Sequence, residues 1–439
     1  MNGMLLTPAT KKGLTWLAAA SLLVTIVVAV QQHQRTTNKL SDPAGGHISD
    51  FDRWMIMTPH FLDDHADYVN DDLPTPPLSL LLFGPLSQLS RPNAAFVWVL
   101  VKLPLACIVF LMAAGIVRRA GVTLTPEALV LIVAGWWLAV IVDMQEGQTN
   151  FLALAPLVAG LYLAQRETRA ADVAAGALIG LGVAMKVTPI IFVVYFLWKR
   201  RVVIAAAAVA SVGVLSLFVP ALAFGWSQNL RWFEQWTRIM ILPFVSEGKV
   251  VYSTSQSVPS TALRLLTDAP AFDSHHGVTV SHYMNLLSLG NDAARQIVRA
   301  LMVTIGLVGL WWTRRPVATL RSRRYVFEIA AVAAFMLWFS ERTWVHHYVS
   351  FILTLGAAGM VLSDSLFSAS TKSLVRWSLV LFAFTTFWAS DAGKILGPDG
   401  VDWAKAVGVY LWPSMIVTVA VLRAAGELPA SGERGAVIA

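Results

Sequence analysis

Asp50 lies in Ser49-Asp50-Phe51-Asp52-Arg53-Trp54, a polar stretch just after the first apolar run of a chain dominated by apolar residues. A carboxylate in that place, with Phe51 and Trp54 beside it, suits an acid/base group held at a bilayer surface. A lipid-borne substrate can meet a water-soluble one there. Taken alone, a solvated loop aspartate or a helix cap explains it as well. Asp50-Phe51-Asp52 also has the Asp-x-Asp spacing used to hold a metal on nucleotide sugars, and seven aspartates fall between positions 50 and 72. Hard divalent cations take such oxygen ligands. An acidic solvated loop accounts for the run equally, so no metal and no cofactor is assigned.

Lys186, in the stretch from Gly180 to Pro189, interrupts a long apolar run. A lysine near the bilayer centre costs about 2.5–3.5 kcal/mol on insertion scales, which makes it a functional candidate. Pro189 lacks a backbone N–H and breaks the helix, so the lysine can reach the outer surface. Its natural partner is an anion, most simply a lipid phosphate; a snorkelling lysine is the bland alternative. Lys102, within 94–117, is a similar case nearer the outer end of its run.

Three further clusters carry polar chemistry. Gln148 and Asn150, in Glu146-Gly147-Gln148-Thr149-Asn150, offer amides, and sugar hydroxyls need both donors and acceptors. Helix capping by Thr149 or Asn150 is the plainer reading. Gln256 and Ser257, in the polar stretch Tyr252 to Pro259, either contact a substrate or cap the next helix. Arg342, His346 and His347 fall in the segment Ser340 to Tyr348. Successive α-helical residues point about 100° apart, so the two histidines do not easily share one metal. One histidine is read as a hydrogen-bond or proton donor to a phosphate or sugar oxygen, with Arg342 adding positive charge.

The elements that position these groups are membrane helices. Of 439 residues, 56% are hydrophobic and 13% charged, against about 25% charged in soluble domains. Apolar runs near 20 residues long recur throughout, as in an all-α polytopic membrane protein. The single Cys107 excludes an internal disulfide and a cysteine-rich metal site. The net charge of +7 is discounted as a sign of nucleic acid, because the basic residues cluster between apolar runs. With Lys11 and Lys12 inside, crossings fall at 14–30, 94–117, 127–142, 149–164, a broken 172–198, 203–225, 296–313, 325–340, 348–363, 373–390 and 405–423. Counting the broken stretch twice gives about twelve spans with both termini cytoplasmic. Residues 1–424 are expected to form one membrane domain and 425–439 a disordered cytoplasmic tail. Two outer segments, 31–93 and 226–294, are too long to be simple connectors. Residues 226–244 read as an interfacial amphipathic helix and 78–89 as re-entrant or interfacial. This charge topology puts the candidate groups at or near the outer face.

Together these features resemble a known family. An aspartate soon after the first helix, the pair Pro76-Pro77, Gly147-Gln148-x-Asn150, Lys186-x-x-Pro189, Ser255-Gln256-Ser257 and Trp344-x-His346-His347-Tyr348 occur in the order found in glycosyltransferase family 87. The resemblance runs from about residue 14 to 420. The last motif is more similar to the mannosyltransferase branch than to the arabinofuranosyltransferase branch. The resemblance implies the GT-C fold, a polyprenyl-phosphate-sugar donor (most often mannose) and a hydroxyl acceptor on a glycolipid or glycan. It implies one inverting displacement on the extracytoplasmic face of the plasma membrane. Asp50 would be the general base, with Lys186 and His346 or His347 at the donor phosphate. Arg342, Gln148, Asn150, Gln256, Ser257, Asp52, Trp54 and Lys102 are the remaining substrate-binding candidates. Two departures bear on the acceptor: Leu73-Pro74-Thr75 stands where a tyrosine usually precedes the proline pair, and Ser340-Glu341-Arg342 is more charged than the usual approach to the histidines.

Two other readings remain. A secondary transporter would also have about twelve spans, a broken helix and intramembrane charge, but this chain lacks related halves and short loops. A glycan polymerase or ligase would take a diphosphate-linked donor instead.

Overall fold

An apolar run inside a bilayer has no water to satisfy its backbone, and a helix satisfies it locally. The computed structural model describes residues 50–63, 67–69, 73–243, 255–275, 279–340, 342–390 and 395–429, with isolated positions between 27 and 34. The expected first span at 14–30, apart from Val27 and Val30, and Asp64, Asp71, Asp72, Glu341 and the tail beyond 429 fall outside the described residues. The helices are α1 (Asp50–Leu62), α2 (Leu78–Ser87), α3 (Arg91–Arg119), α4 (Pro126–Gln145), α5 (Asn150–Ala164), α6 (Arg169–Met185) and α7 (Ile190–Trp198). Then come α8 (Val202–Phe224), α9 (Trp226–Trp236), α10 (Val258–Leu266), α11 (Asn291–Trp312), α12 (Arg323–Phe339), α13 (Ile352–Ser363), α14 (Ala369–Trp388), α15 (Gly397–Val407) and α16 (Leu411–Ala424). A short antiparallel hairpin, β1 (Phe272–His275) and β2 (Thr279–His282), was not expected from the sequence.

Among the described residues five helices are long and apolar enough to cross a membrane, or six if the bent pair α15 and α16 counts as one. The expected figure of about twelve is therefore not met by single long helices. The expected crossings at 149–164, 172–198 and 325–340 are the shorter helices α5, α6 with α7, and α12, of 15, 17, 9 and 17 residues. The break between α6 and α7 falls at Lys186, which is extended, and Pro189 caps α7.

Glycine sets the closeness of the central helices. A Cβ at Gly176 would stand 2.3 Å from the Ile204 carbonyl oxygen, and one at Gly180 would stand 2.4 Å from that of Ala208. These two glycines, four apart on α6, let α8 lie directly on its backbone. On the opposite side Gly160 and Gly182 leave the same room between α5 and α6. The end of α6, and with it Lys186, is thereby fixed against both neighbours.

The two outer segments fold onto each other. α1 places Phe51, Trp54, Met55, Thr58 and Phe61 on one buried face, a spacing that fits 3.6 residues per turn. That face meets Phe83 of α2, Trp98 of α3 and Trp232 of α9 in a single aromatic cluster. Trp54 stacks on Phe83 at 4.8 Å, and Phe61 meets Trp232 edge-on at 5.3 Å. Trp236 Nε1 donates to the Pro74 carbonyl at 3.1 Å. The expected amphipathic helix at 226–244 is thus a helix, but its Trp232 and Trp236 are covered by the first outer segment rather than by lipid.

Replacing Gly176 or Gly180 by valine should push α6 away from α8. Overpacking of this kind costs about 1–3 kcal/mol per site. Each variant should unfold at a lower temperature than the parent in detergent. An unchanged unfolding temperature would mean that this contact tolerates a side chain.

Candidate active site

A cavity of about 1130 Å³ opens between α1, the α4–α5 turn, the α6–α7 break and the segment that follows α12. Asp50, Arg53 and Trp54 border it from α1, and Pro74, Thr75 and Pro76 from the turn before α2. Glu146, Gln148 and Thr149 come from the α4–α5 turn, Lys186 and Thr188 from the helix break. Arg342, Trp344, His346 and His347 complete the polar wall. Leu138, Ile141, Val142, Ile190, Ile191, Met336 and Phe339 line an apolar part of the same space. The sequence candidates Asp50, Trp54, Gln148, Lys186, Arg342, His346 and His347 are therefore gathered around one cavity.

The turn that brings Gln148 to Asp50 depends on Gly147. Its φ is +66°, and a Cβ there would stand 2.4 Å from the Phe51 Cβ. Trp98 Nε1 donates to the Gly147 carbonyl at 2.6 Å, and Gln148 N donates to the Asp143 carbonyl at 3.1 Å. Gln148 Nε2 then donates to Asp50 Oδ2. One carboxylate oxygen of Asp50 is thus oriented by an amide.

The histidines lie on a 3-10 helix, Val345–Phe351, rather than on an α-helix. Their ring centroids are 4.5 Å apart and both rings border the cavity. His347 Nδ1 accepts from the Trp344 backbone N–H at 2.8 Å, so in the neutral ring the proton sits on Nε2. His346 Nε2 is buried and meets no hydrogen-bond partner among the described residues. A buried polar atom of that kind calls for a ligand. The Trp54 indole nitrogen is in the same position.

Behind the wall runs a line of buried polar groups. Lys102 Nζ lies 2.7 Å from Asp143 Oδ1, both fully buried. Asn150 Nδ2 donates to Asp143 Oδ2 at 2.9 Å and to the His346 carbonyl at 3.1 Å. Lys186 Nζ donates to Asn150 Oδ1 at 2.6 Å. Asn150 does not line the large cavity; with Lys186 and His347 it borders a second, small one of about 30 Å³.

Besides Asn150, four candidates do not border the large cavity in the way expected of substrate ligands. Lys102 is bound to Asp143, because a fully buried ammonium is retained only with a counter-charge. Asp52 is buried, and two helical positions from Asp50 put it on another face of α1. Gln256 is a strut. It donates to the carbonyls of Thr343 and Lys405 and accepts from Tyr410 N and, at its own carbonyl, from Tyr348 OH. Ser257 caps α10, accepting from Ser260 N. Beneath them Arg264 donates to the carbonyls of Ala406 and Ser255 at 3.0 and 2.9 Å. Burial pushes its guanidinium down to about 10, so it keeps its charge at neutral pH. Sequence reasoning missed Asp143, an acidic residue at the end of an apolar run whose intramembrane charge was a usable signal.

Residues 75–341, more than half of the chain, match glycosyltransferase family 87. The chain belongs to this family. It is a glycosyltransferase. It is 24% identical to a protein of Mycobacterium tuberculosis called polyprenol-phosphate-mannose-dependent alpha-(1-2)-phosphatidylinositol mannoside mannosyltransferase, over 76% of this chain and 74% of that one. The protein of the same description from Mycolicibacterium smegmatis is 27% identical over 82% of this chain and 80% of its own length. The match begins at Thr75 in the turn before α2 and includes the Gln148, Asn150 and Lys186 positions.

Gly147→Ala should lower glycosyl transfer about ten-fold or more, since small misplacements of reacting groups carry such penalties. Gly121→Ala is its control: φ there is +87°, with nothing within 4 Å of a Cβ. It should strain the backbone and leave transfer near the parent rate. Equal activity of both variants would separate Gly147 from the site.

Proposed function

We propose that this glycosyltransferase moves mannose from polyprenyl phosphate mannose to a hydroxyl of a glycolipid or glycan, on the extracytoplasmic face of the plasma membrane. The fold would be the GT-C type, with both termini cytoplasmic. The family and the names of the two mannosyltransferase relatives support the donor.

The observation that carries the reading is a contrast among three lysines held in the helix bundle. Lys102 is paired with Asp143 at 2.7 Å, and Lys199 with Glu328 at 2.8 Å. Lys186 instead meets the neutral oxygen of Asn150, at the wall of the cavity. Among the described residues no carboxylate lies within ion-pair distance of it. Its charge is left for an anion, and a phosphodiester is the anion that a lipid-linked sugar donor carries. The apolar part of the cavity, with Ile190, Ile191 and Met336, suits the lipid next to that phosphate.

The chemistry follows from these groups. The acceptor oxygen attacks the anomeric carbon while Asp50 removes its proton. The bond from that carbon to the phosphate oxygen breaks, and the configuration inverts. The departing phosphate gains a negative charge, so it needs positive groups and donors more than a strong acid. Lys186, the Nε2–H of His347 and Arg342 supply them, and His346 Nε2 is the second imidazole contact. Gln148 holds Asp50 in position.

Asp50→Asn should reduce transfer by about 10²–10⁴-fold and leave the KM for polyprenyl phosphate mannose near the parent value. Proteoliposomes with radiolabelled donor measure both. Full transfer by Asp50→Asn would remove the base assignment. Transfer from a diphosphate-linked oligosaccharide, and none from the monophosphate donor, would replace the whole reading by a polymerase or ligase.

A further inference from the structure

We infer that Asp143 is a positioning residue for the anion site at Lys186, acting through the side-chain amide of Asn150, while Lys102 cancels its charge. This rests on the reading that Lys186 meets the donor phosphate. None of the steps above uses Asp143, and it does not border the cavity.

Hydrogen-bond bookkeeping at Asn150 leaves one arrangement. Its amide has two N–H donors and one oxygen acceptor. Both donors are engaged by acceptors, Asp143 Oδ2 at 2.9 Å and the His346 carbonyl at 3.1 Å. The oxygen therefore faces Lys186 Nζ at 2.6 Å. Turning the amide over would set its oxygen against a carboxylate and a carbonyl, and its N–H groups against an ammonium. Asp143 makes that turn unfavourable, because a carboxylate only accepts. One amide thus ties the backbone that carries the histidines to the ammonium that faces the substrate.

Lys102 is what allows a carboxylate to do this without neutralising Lys186. Its ammonium lies 2.7 Å from Asp143 Oδ1 and also donates to the Asp143 carbonyl at 2.6 Å. The pair adds no net charge behind the site; Lys186 feels the charges of Asp143 and Asp50, but its Nζ bonds the neutral oxygen of Asn150 rather than either carboxylate. Groups that orient a ligating residue from behind typically change ligand affinity by about ten- to a hundred-fold when removed from metal sites, and a change of that order is expected for the anion at Lys186.

The test compares Lys102→Met/Asp143→Leu with the parent and with Lys186→Met in proteoliposomes. It reads donor KM, acceptor KM, kcat and unfolding temperature. Replacing a buried ion pair by apolar residues of similar size is often neutral for stability. The double variant should therefore keep its unfolding temperature and its acceptor KM, with a donor KM raised about ten-fold. A parent-like donor KM in the double variant, beside a raised one in Lys186→Met, overturns this inference alone. A parent-like donor KM in Lys186→Met removes the reading of the site and this inference with it. A rise in both KM values that follows a lowered unfolding temperature assigns the pair to folding and also overturns the inference. If the double variant does not fold, Lys102→Gln/Asp143→Asn takes its place, because it removes both charges together and leaves no buried ammonium unpaired. The amide at position 143 can donate to a turned Asn150, so this variant should raise donor KM by a similar factor.

Discussion

A charge buried among membrane helices must find a partner, and the ion pair between Lys102 and Asp143 is where this chain meets that demand most fully. α3 and α4 are joined there at a depth where neither group sees water. Removing one partner of such a pair costs about 3–5 kcal/mol, so the two helices are held at one relative height. The α4–α5 turn starts only a few residues beyond Asp143, and its conformation inherits that height. Gln148 and Asn150 leave the turn in different directions, one toward Asp50 and one toward Lys186.

The opposite side of the cavity is built by shape rather than charge. The aromatic face of α1 packs on Phe83, Trp98 and Trp232. Ring pairs of this sort hold the geometry of an element as well as its burial. Phe51 follows Asp50 directly, and it packs against Gly147 so closely that no side chain fits between them. The distance between the carboxylate on α1 and the amide on the α4–α5 turn is therefore set by van der Waals contact.

Much of this was legible in the sequence. The polar clusters mark the cavity wall because polar groups in apolar runs are costly, and the helix break at Lys186–Pro189 follows from proline chemistry. Gly176 and Gly180 stand four apart in an apolar run, a spacing that suits a helix contact, but only the carbonyls facing them identify α8 as the partner. Other features were not. Nothing local links Lys102 to Asp143, 41 positions later, so the lysine looked available for substrate. Gln256 has the composition of a sugar ligand, and only its four long-range partners reveal a strut. The 3-10 turn that brings both imidazoles to one wall depends on the Trp344 backbone bonding to His347, which spacing alone does not encode.

The amide at position 150 explains why the bundle treats its lysines differently. Lys199 is held by Glu328, a carboxylate it shares with Arg324, and by two backbone carbonyls, an arrangement that offsets part of its charge. A carboxylate at position 150 would do the same to Lys186, and it would also repel both Asp143 and an incoming anion. An apolar residue would leave the ammonium without an acceptor while the site is empty. An amide avoids both faults: it satisfies the ammonium with a neutral oxygen and yields to an anion at the loss of one hydrogen bond. It can do so only if its own donors are occupied elsewhere, which is what Asp143 and the His346 carbonyl provide. The buried pair at the back and the cation at the front, held by a neutral oxygen, are thus two ends of one hydrogen-bonded line.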